Sequence, residues 1–331
     1  MTAEARTIAV GDGDADLRLD RWLRQHCPEL GHVQVQKLIR TGQVRVDGKR
    51  AKAGQRLAAG QMVRVPPVAA RAEGADATAR RKPAPIVSDR DVGDLQARVL
   101  HRDEDVIVID KPAGLAVQGG TKTGRHLDGM LDALRFGSKE RPRLVHRLDR
   151  DTSGVLVLAR TRKAAAFLTA AFRGRDTRKV YWALVVGQPK PEVGRIDLAL
   201  VKTGGRGLEK MTSDDDGEGK AAETLYRVVD HAGAKISWLA MEPLTGRTHQ
   251  LRAHAAALGT PILGDGKYGG ADARPTADGI ENRLHLHARA IRIPHPQGGQ
   301  LEAVAPLPSH MKQAWAFFGF NEKDVSDPFG G

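Results

Sequence analysis

The sequence predicts an α+β protein: a small α/β domain followed by a larger domain built on a mixed β-sheet. Three observations predict this. Helical and strand periodicities alternate along the chain without the regular β-α-β order of a doubly wound sheet. A stretch without apolar periodicity separates two patterned regions. The 331 residues, 40% of them hydrophobic, exceed one typical domain and suffice for two cores.

Residues 1–15 are polar and acidic and read as a flexible tail. The first domain spans 16–67. Leu19, Trp22 and Leu23 recur at helical spacing, as do Val35, Leu38 and Ile39, and Gly42 ends the second helix. Val44 and Val46 alternate with polar residues and enter Asp47-Gly48, a hairpin signal, and Val63 and Val65 alternate before Pro66-Pro67. Residues 68–94, rich in Ala, Pro and charge, read as a linker.

The second domain is expected over 95–320. Val106 to Ile109 is a short strand ended by the turn Lys111-Pro112-Ala113-Gly114. Val155 to Ala159, Lys179 to Val186 and Ile236 to Met241 read as further strands. Ala164, Phe167, Leu168, Ala171 and Phe172 form a helical stripe. Thr248 to Leu258 reads as a helix with Leu251, Ala255 and Leu258 on one face and Gly259 at its end. Residues 321–331 are expected to be a loose tail.

Composition narrows the function. The chain carries 52 Lys+Arg against 40 Asp+Glu, a net charge of +12. From Leu17 to Pro66 there are 11 Lys+Arg and 3 Asp+Glu, so a net +8 of that excess sits in this one short segment. A clustered excess favours a polyanionic partner over general solubility. Cys27 is the sole cysteine, which rules out an intrachain disulfide and fits a small buried hydrophobe in a reducing compartment. No apolar run approaches a membrane span. The expectation is a soluble, cytoplasmic monomer.

Arg18, Arg21 and Arg24 recur at three-residue spacing on the first helix, and Lys37 and Arg40 do so on the second. Arg45, Lys49, Arg50 and Lys52 crowd the hairpin. Several cations on one small domain suit phosphate contacts, which give affinity with little sequence information. Arg18-Leu-Asp-Arg-Trp-Leu23, Lys37-Leu-Ile-Arg-Thr-Gly42 and Val44-Arg-Val-Asp-Gly-Lys49 resemble the small ribosomal-protein-S-four-like RNA-binding domain. That resemblance implies binding and no activity.

The most informative stretch is His146-Arg-Leu-Asp-Arg-Asp-Thr-Ser-Gly154, four charged residues in nine leading into an apolar strand. A charged loop at a strand edge is a usual place for chemistry, and equally a place for a solvated turn capped by Asp151 or Thr152. The residues by themselves do not choose between Asp149 and Asp151. The stretch resembles the signature of the RluA/RluC-type family of RNA pseudouridine synthases. The resemblance implies that Asp149 is the catalytic residue and that Arg147 helps extrude the target uridine. Uridine must be cut from its ribose, rotated and rejoined through a ring carbon, with no net redox change. A carboxylate can serve as nucleophile or base for this, and no cofactor is required. The target base must also leave its stack.

Arg178-Lys-Val-Tyr-Trp-Ala-Leu-Val185 is similar to the family's second motif, which implies that Tyr181 stacks on the flipped uracil and is a candidate proton acceptor. On a strand Tyr181 shares a face with Ala183 and Val185, so a core aromatic is the alternative. Gly246-Arg-Thr-His-Gln-Leu-Arg-Ala-His254 is similar to the third motif, which implies that Arg252 pairs with the catalytic carboxylate. A carboxylate kept charged in an enclosed pocket needs such a partner. His249 and Arg252, three apart on the expected helix, would share a face, with His249 contacting RNA without ionising.

No metal is expected. His249 and His254 are separated by about 140° of helix rotation, so they cannot form a same-face pair. His285 and His287 would share a strand face but have no third ligand close in sequence. Asp110-Lys-Pro-Ala-Gly-Leu115, Gly219-Lys-Ala-Ala-Glu-Thr224, Pro261-Ile-Leu-Gly-Asp265 and Leu284-His-Leu-His-Ala288 also look like family sequence, and are assigned to turns and packing. The order of the two domains is most similar to the RluC type and implies large-subunit ribosomal RNA as substrate. An RluD-like synthase acting on other uridines has the same architecture and motifs. A non-catalytic RNA-binding or ribosome-assembly protein on the same scaffold would be expected to lack one of the three motifs.

Overall fold

The computed structural model describes residues 5–67, 88–119, 125–174, 176–203, 210–213, 219–275, 277–324 and 328–329. The chain forms two compact units, 1–81 and 82–331. Among the described residues no helix is long and apolar enough to cross a membrane.

The first unit contains β1 (Arg6–Ala9), α1 (Leu19–His26), α2 (His32–Arg40), β2 (Arg45–Val46), β3 (Lys49–Arg50) and β4 (Met62–Val65). Its antiparallel sheet has the order β1-β4-β2-β3. Leu19, Trp22 and Leu23 of α1 are wholly buried against Val35, Val44, Val63 and Val65, and Cys27 lies in the same core. Asp47 and Gly48 both have positive φ, 49° and 74°, the backbone that a two-residue hairpin turn needs. The Asp47 carboxylate then accepts the Met62 N–H at 2.8 Å, tying the hairpin to β4.

This corrects the expected flexible tail 1–15. Residues 6–9 are an edge strand on β4, mostly exposed, so the apolar alternation that marks a strand is weak there. Arg18 is also not on the first helix. It is the residue before it, in an extended conformation, and it pairs with Asp20 at 2.8 Å.

The second unit begins with α3 (Asp89–Gln96), then β5 (Val99–Arg102), β6 (Val106–Lys111), α4 (Leu127–Met130), β7 (Arg143–Leu144), β8 (Ser153–Ala159), α5 (Arg162–Arg173) and β9 (Arg178–Val186). It continues through β10 (Val193–Asp197), β11 (Leu200–Thr203), β12 (Lys210–Ser213), β13 (Glu223–Ala232), β14 (Ile236–Pro243), α6 (Gln250–Ala257), β15 (Leu286–Pro294), β16 (Gln300–Val304) and α7 (Ser309–Phe318). The main sheet runs β10-β13-β14-β9-β15-β8-β6-β5, with β16 on β15 and β7 on β8. All named pairings are antiparallel except β15 with β8, so the sheet is mixed, as expected for an α+β fold.

Every residue of β8 is buried, because the sheet is covered on both faces. Leu127, Leu131 and Leu134 pack on one side and Ala164 and Leu168 of α5 on the other. At the far end of the sheet Trp182, Trp238 and Trp315 share a core with α7, while Leu251 and Ala255 of α6 lie against Ala183 and Leu239.

The expected linker 68–94 is shorter at its C-terminal end. Residues 68–87 lie outside the described residues. Ser88 and Asp91 form a reciprocal capping box that starts α3, and Leu95 buries its other end. Part of the expected tail 321–331 is also attached: Glu322 pairs with Arg289 at 3.3 Å and Phe329 packs beside the tryptophan core.

Candidate active site

The carboxylate loop joins β7 to β8. Gly154, at its end, has φ +105°, and a Cβ there would overlap the Ala288 carbonyl. Only glycine lets β8 run directly beside β15 at their parallel pairing, Ser153 with His287 and Gly154 with Ala288. His146 fastens the start of the loop. Its Nε2 accepts the Val157 N–H at 2.8 Å and its ring stacks on Phe172 at 4.1 Å. Burial, reinforced by the Lys179 charge, pulls the imidazole down to about 3, so it is neutral.

Lys111 fastens the other side. It is wholly buried, and its Nζ donates to the carbonyls of Pro112, Leu115 and Arg150 at 2.9, 2.9 and 3.0 Å. Burial lowers its pKa to about 8 despite nearby Asp151, Asp149 and Asp110. The Gly114 N–H donates to the same Arg150 carbonyl at 2.9 Å. The stretch 110–115, assigned from sequence to a packing turn, therefore clamps the backbone one residue after Asp149.

The two candidate carboxylates have different surroundings. Asp151 pairs with its neighbour Arg150 at 3.0 Å, with both side chains well exposed. Asp149 faces inward, its Oδ2 4.0 Å from an Arg252 terminal nitrogen and 3.9 Å from His249 Nε2. It lies where two lobes of one cleft meet. A lobe of about 820 Å³ is bordered by Arg147, Arg150, Lys267 and Arg283. A lobe of about 370 Å³ is bordered by Phe172, Lys179, Tyr181 and Leu286. Arg147, Asp149, His249 and Arg252 border both. Burial, with the Asp149 charge, pushes the Tyr181 phenol well above its ordinary pKa, so its proton stays on.

Arg252 has a stronger partner than the expected one. Its Nε and a terminal nitrogen donate to the two oxygens of Asp265, both at 2.7 Å. Burial opposes the Arg252 charge, but the Asp265 hydrogen bonds and charge outweigh it and raise the guanidinium's pKa. Arg252 therefore reaches Asp149 as the second arm of a guanidinium already held. The Asp265 side chain is fully buried and also accepts the backbone N–H groups of Lys267 and Tyr268, both at 3.1 Å.

His249 does not lie on a helix face. It is the residue before α6, with φ 53°, in the left-handed region, and α6 starts at Gln250. Gln250 sets this local fold. Its Oε1 accepts from Thr245 and from the Arg247 N–H, while its Nε2 donates to the Glu223 carbonyl and to Thr224. His254 continues the seam through Thr224 at 2.9 Å. His249 and Arg252 meet the same carboxylate oxygen because the turn aims one and the helix the other.

Sequence reasoning missed Lys111, Asp265 and Tyr268 as site residues. A usable signal existed for Asp265: a carboxylate one glycine beyond the apolar Ile262-Leu263, if buried with them, requires a cationic partner. Gly264 before it has φ 78°, and a Cβ there would overlap the Arg283 carbonyl. Among the described residues no group of three or more His, Cys, Asp or Glu could hold a metal ion. His287 is engaged with Ser153 at 2.9 Å and His285 with the Arg283 carbonyl at 2.8 Å.

In the first unit Arg21, Arg24, Lys37, Arg40 and Lys49 are exposed and form no ion pair among the described residues. Arg45 and Arg50 are exposed as well, but donate to the carbonyls of Gly48 and Arg40.

Residues 105–257 match the family model described as RNA pseudouridylate synthase, and residues 17–63 match the S4 domain. The ribosomal large subunit pseudouridine synthase C of Vibrio cholerae is 36% identical, over 95% of this chain and 97% of its own. This chain belongs to the RNA pseudouridine synthase family. The Escherichia coli K12 synthase of the same name is 35% identical over 94% of this chain and 96% of its own. Among solved structures, human RNA pseudouridylate synthase domain containing 4 is similar, at 30% identity and TM-score 0.59, covering 69% of this chain and 95% of that one. The two lobes and Asp149 are thus features of a pseudouridine synthase domain, and the basic first unit is its S4 domain.

Proposed function

We propose that this protein isomerises uridines of large-subunit ribosomal RNA to pseudouridine, with Asp149 as the reacting carboxylate and no cofactor. The observation that carries this is an inward carboxylate at the junction of two cleft lobes, beside a guanidinium, an imidazole and a buried phenol. The Vibrio cholerae and Escherichia coli relatives, both named ribosomal large subunit pseudouridine synthase C, support the substrate class.

In this reading the target uridine leaves its stack and enters the smaller lobe, where the Tyr181 ring lies against the uracil. The N1–C1′ bond breaks, the base turns, C5 bonds to C1′, the C5 hydrogen leaves as a proton and N1 takes one proton up. Atoms and electrons balance within the nucleotide. The Asp149 carboxylate serves as nucleophile or base and takes the C5 proton, whereas Tyr181, whose phenol keeps its own proton, packs on the base and is not the acceptor expected from sequence. Arg252, held by Asp265, orients Asp149. Arg147 and Arg150 line the larger lobe, where the RNA strand flanking the target would run, and Arg147 fills the space the uridine vacates. The exposed cations Arg18, Arg21, Arg24, Lys37, Arg40, Arg45, Lys49 and Arg50 grip phosphates. The enzyme acts as a cytoplasmic monomer.

The test is tritium release from large-subunit ribosomal RNA labelled at uracil C5, run with and without a chelator. Equal release in both arms is expected. No release from this RNA, or release abolished by the chelator, would overturn the proposal.

A further inference from the structure

We propose that Tyr268 is a positioning residue that fixes His249 as its Nε2–H tautomer, so that a neutral imidazole N–H faces the Asp149 carboxylate. This rests on reading the cleft as the uridine site.

Both ring nitrogens point to the same tautomer. His249 Nδ1 lies 2.9 Å from the Tyr268 hydroxyl. That hydroxyl oxygen already accepts the Met211 N–H at 3.0 Å, from the edge of β12. Tyr268 has one proton to give, and the acceptor within reach is Nδ1. On the other side of the ring, Nε2 faces an Asp149 oxygen at 3.9 Å. An ionised carboxylate only accepts, so a proton on Nε2 is favoured there and a bare lone pair is not.

Tyr268 is held to this task from several directions. Its backbone N–H donates to Asp265 at 3.1 Å. The Arg252 guanidinium lies over its ring at 5.0 Å, and its ring meets the His249 ring edge-on at 5.6 Å and 87°. Burial raises the phenol's pKa, so it is a donor at neutral pH. Burial lowers the His249 pKa, with the Arg252 and Lys267 charges acting in the same direction against Asp149 and Asp265. His249 also sits in a left-handed backbone conformation, which a non-glycine residue keeps only where its surroundings over-determine it. The series Met211, Tyr268, His249, Asp149 thus links the paired strands β11 and β12 to the carboxylate.

The test is nitrogen NMR of the full-length protein labelled in its histidine rings, with His249 assigned by its loss in His249→Gln. The expected spectrum at neutral pH shows a protonated Nε2 and an acceptor-type Nδ1. In Tyr268→Phe the tautomers should mix, and His249 should ionise at higher pH because the bond favouring its neutral form is gone. The groups facing it, Asp149 from the loop, Arg252 from α6 and Asp265 and Lys267 from the following turn, are unchanged. Turnover should fall roughly fivefold in Tyr268→Phe, the worth of one hydrogen bond. In a His249→Ala background the same change should cost less than about twofold. A wild-type Nδ1–H tautomer, an unaltered His249 signal in Tyr268→Phe, or additive kinetic effects would overturn the proposal. If Tyr268→Phe does not fold, the wild-type spectrum decides. A wild type without pseudouridine formation would sink the proposed function and leave the tautomer assignment standing.

Discussion

Arg252 lies 2.7 Å from each oxygen of Asp265 and only 4.0 Å from Asp149. The buried acid anchors the guanidinium, and the half-buried acid in the cleft receives its free end. One carboxylate thereby positions the counter-charge of another.

Asp265→Asn should therefore damage catalysis without touching the substrate. It removes the negative partner of a buried guanidinium and leaves that charge under-compensated, a loss of about 3–5 kcal/mol for a buried pair. Urea unfolding should show destabilisation of that order. Turnover of the folded variant should fall by about tenfold or more, the cost of one misplaced charged contact near the reacting atoms. Parental stability and turnover together would show that Arg252 needs no anchor.

Lys111 makes a pH-dependent prediction. Its folded pKa, about 8, lies below the ordinary 10.5 of the unfolded chain. Below pH 8 both states are protonated and the cost of burying the charge is present in full. Between about 8 and 10.5 the unfolded state binds more protons than the folded one, so this group makes stability rise with pH. Measured by urea unfolding, the wild type should gain stability relative to Lys111→Met across that window. A flat or falling difference would contradict the burial of a charged ammonium there.

Much of the architecture was legible because it is written in short-range signals. Asp47-Gly48 demands the left-handed turn it forms, and the apolar runs of β6, β8, β9 and β14 mark strands covered on both faces. The three motifs carry Asp149, Tyr181 and Arg252 to one cleft. Asp265 was missed although the apolar residues before it offered a signal, and Tyr268 was not legible, since its role depends on contacts across a turn with no apolar period. His249 read as helical because helix formers follow it, whereas the Gln250 side chain fixes the backbone before the helix starts. The strand Arg6–Ala9 was hidden because an exposed edge strand needs little apolar alternation.

Removing residues 1–67 tests the role of the basic domain. The remaining chain should bind ribosomal RNA more weakly. Its affinity should also fall less steeply with salt, because each lost phosphate contact removes about one released counterion from the slope. Binding titrations at several salt concentrations measure this, and an unchanged slope would show that the first domain does not touch phosphate.

The most direct test of the central claim is Asp149→Asn, which keeps the side chain's size and removes its charge. Mapped on large-subunit ribosomal RNA, the variant should bind as tightly as the parent and leave every target uridine unmodified. Pseudouridine formed at the parental rate would contradict the assignment of this carboxylate.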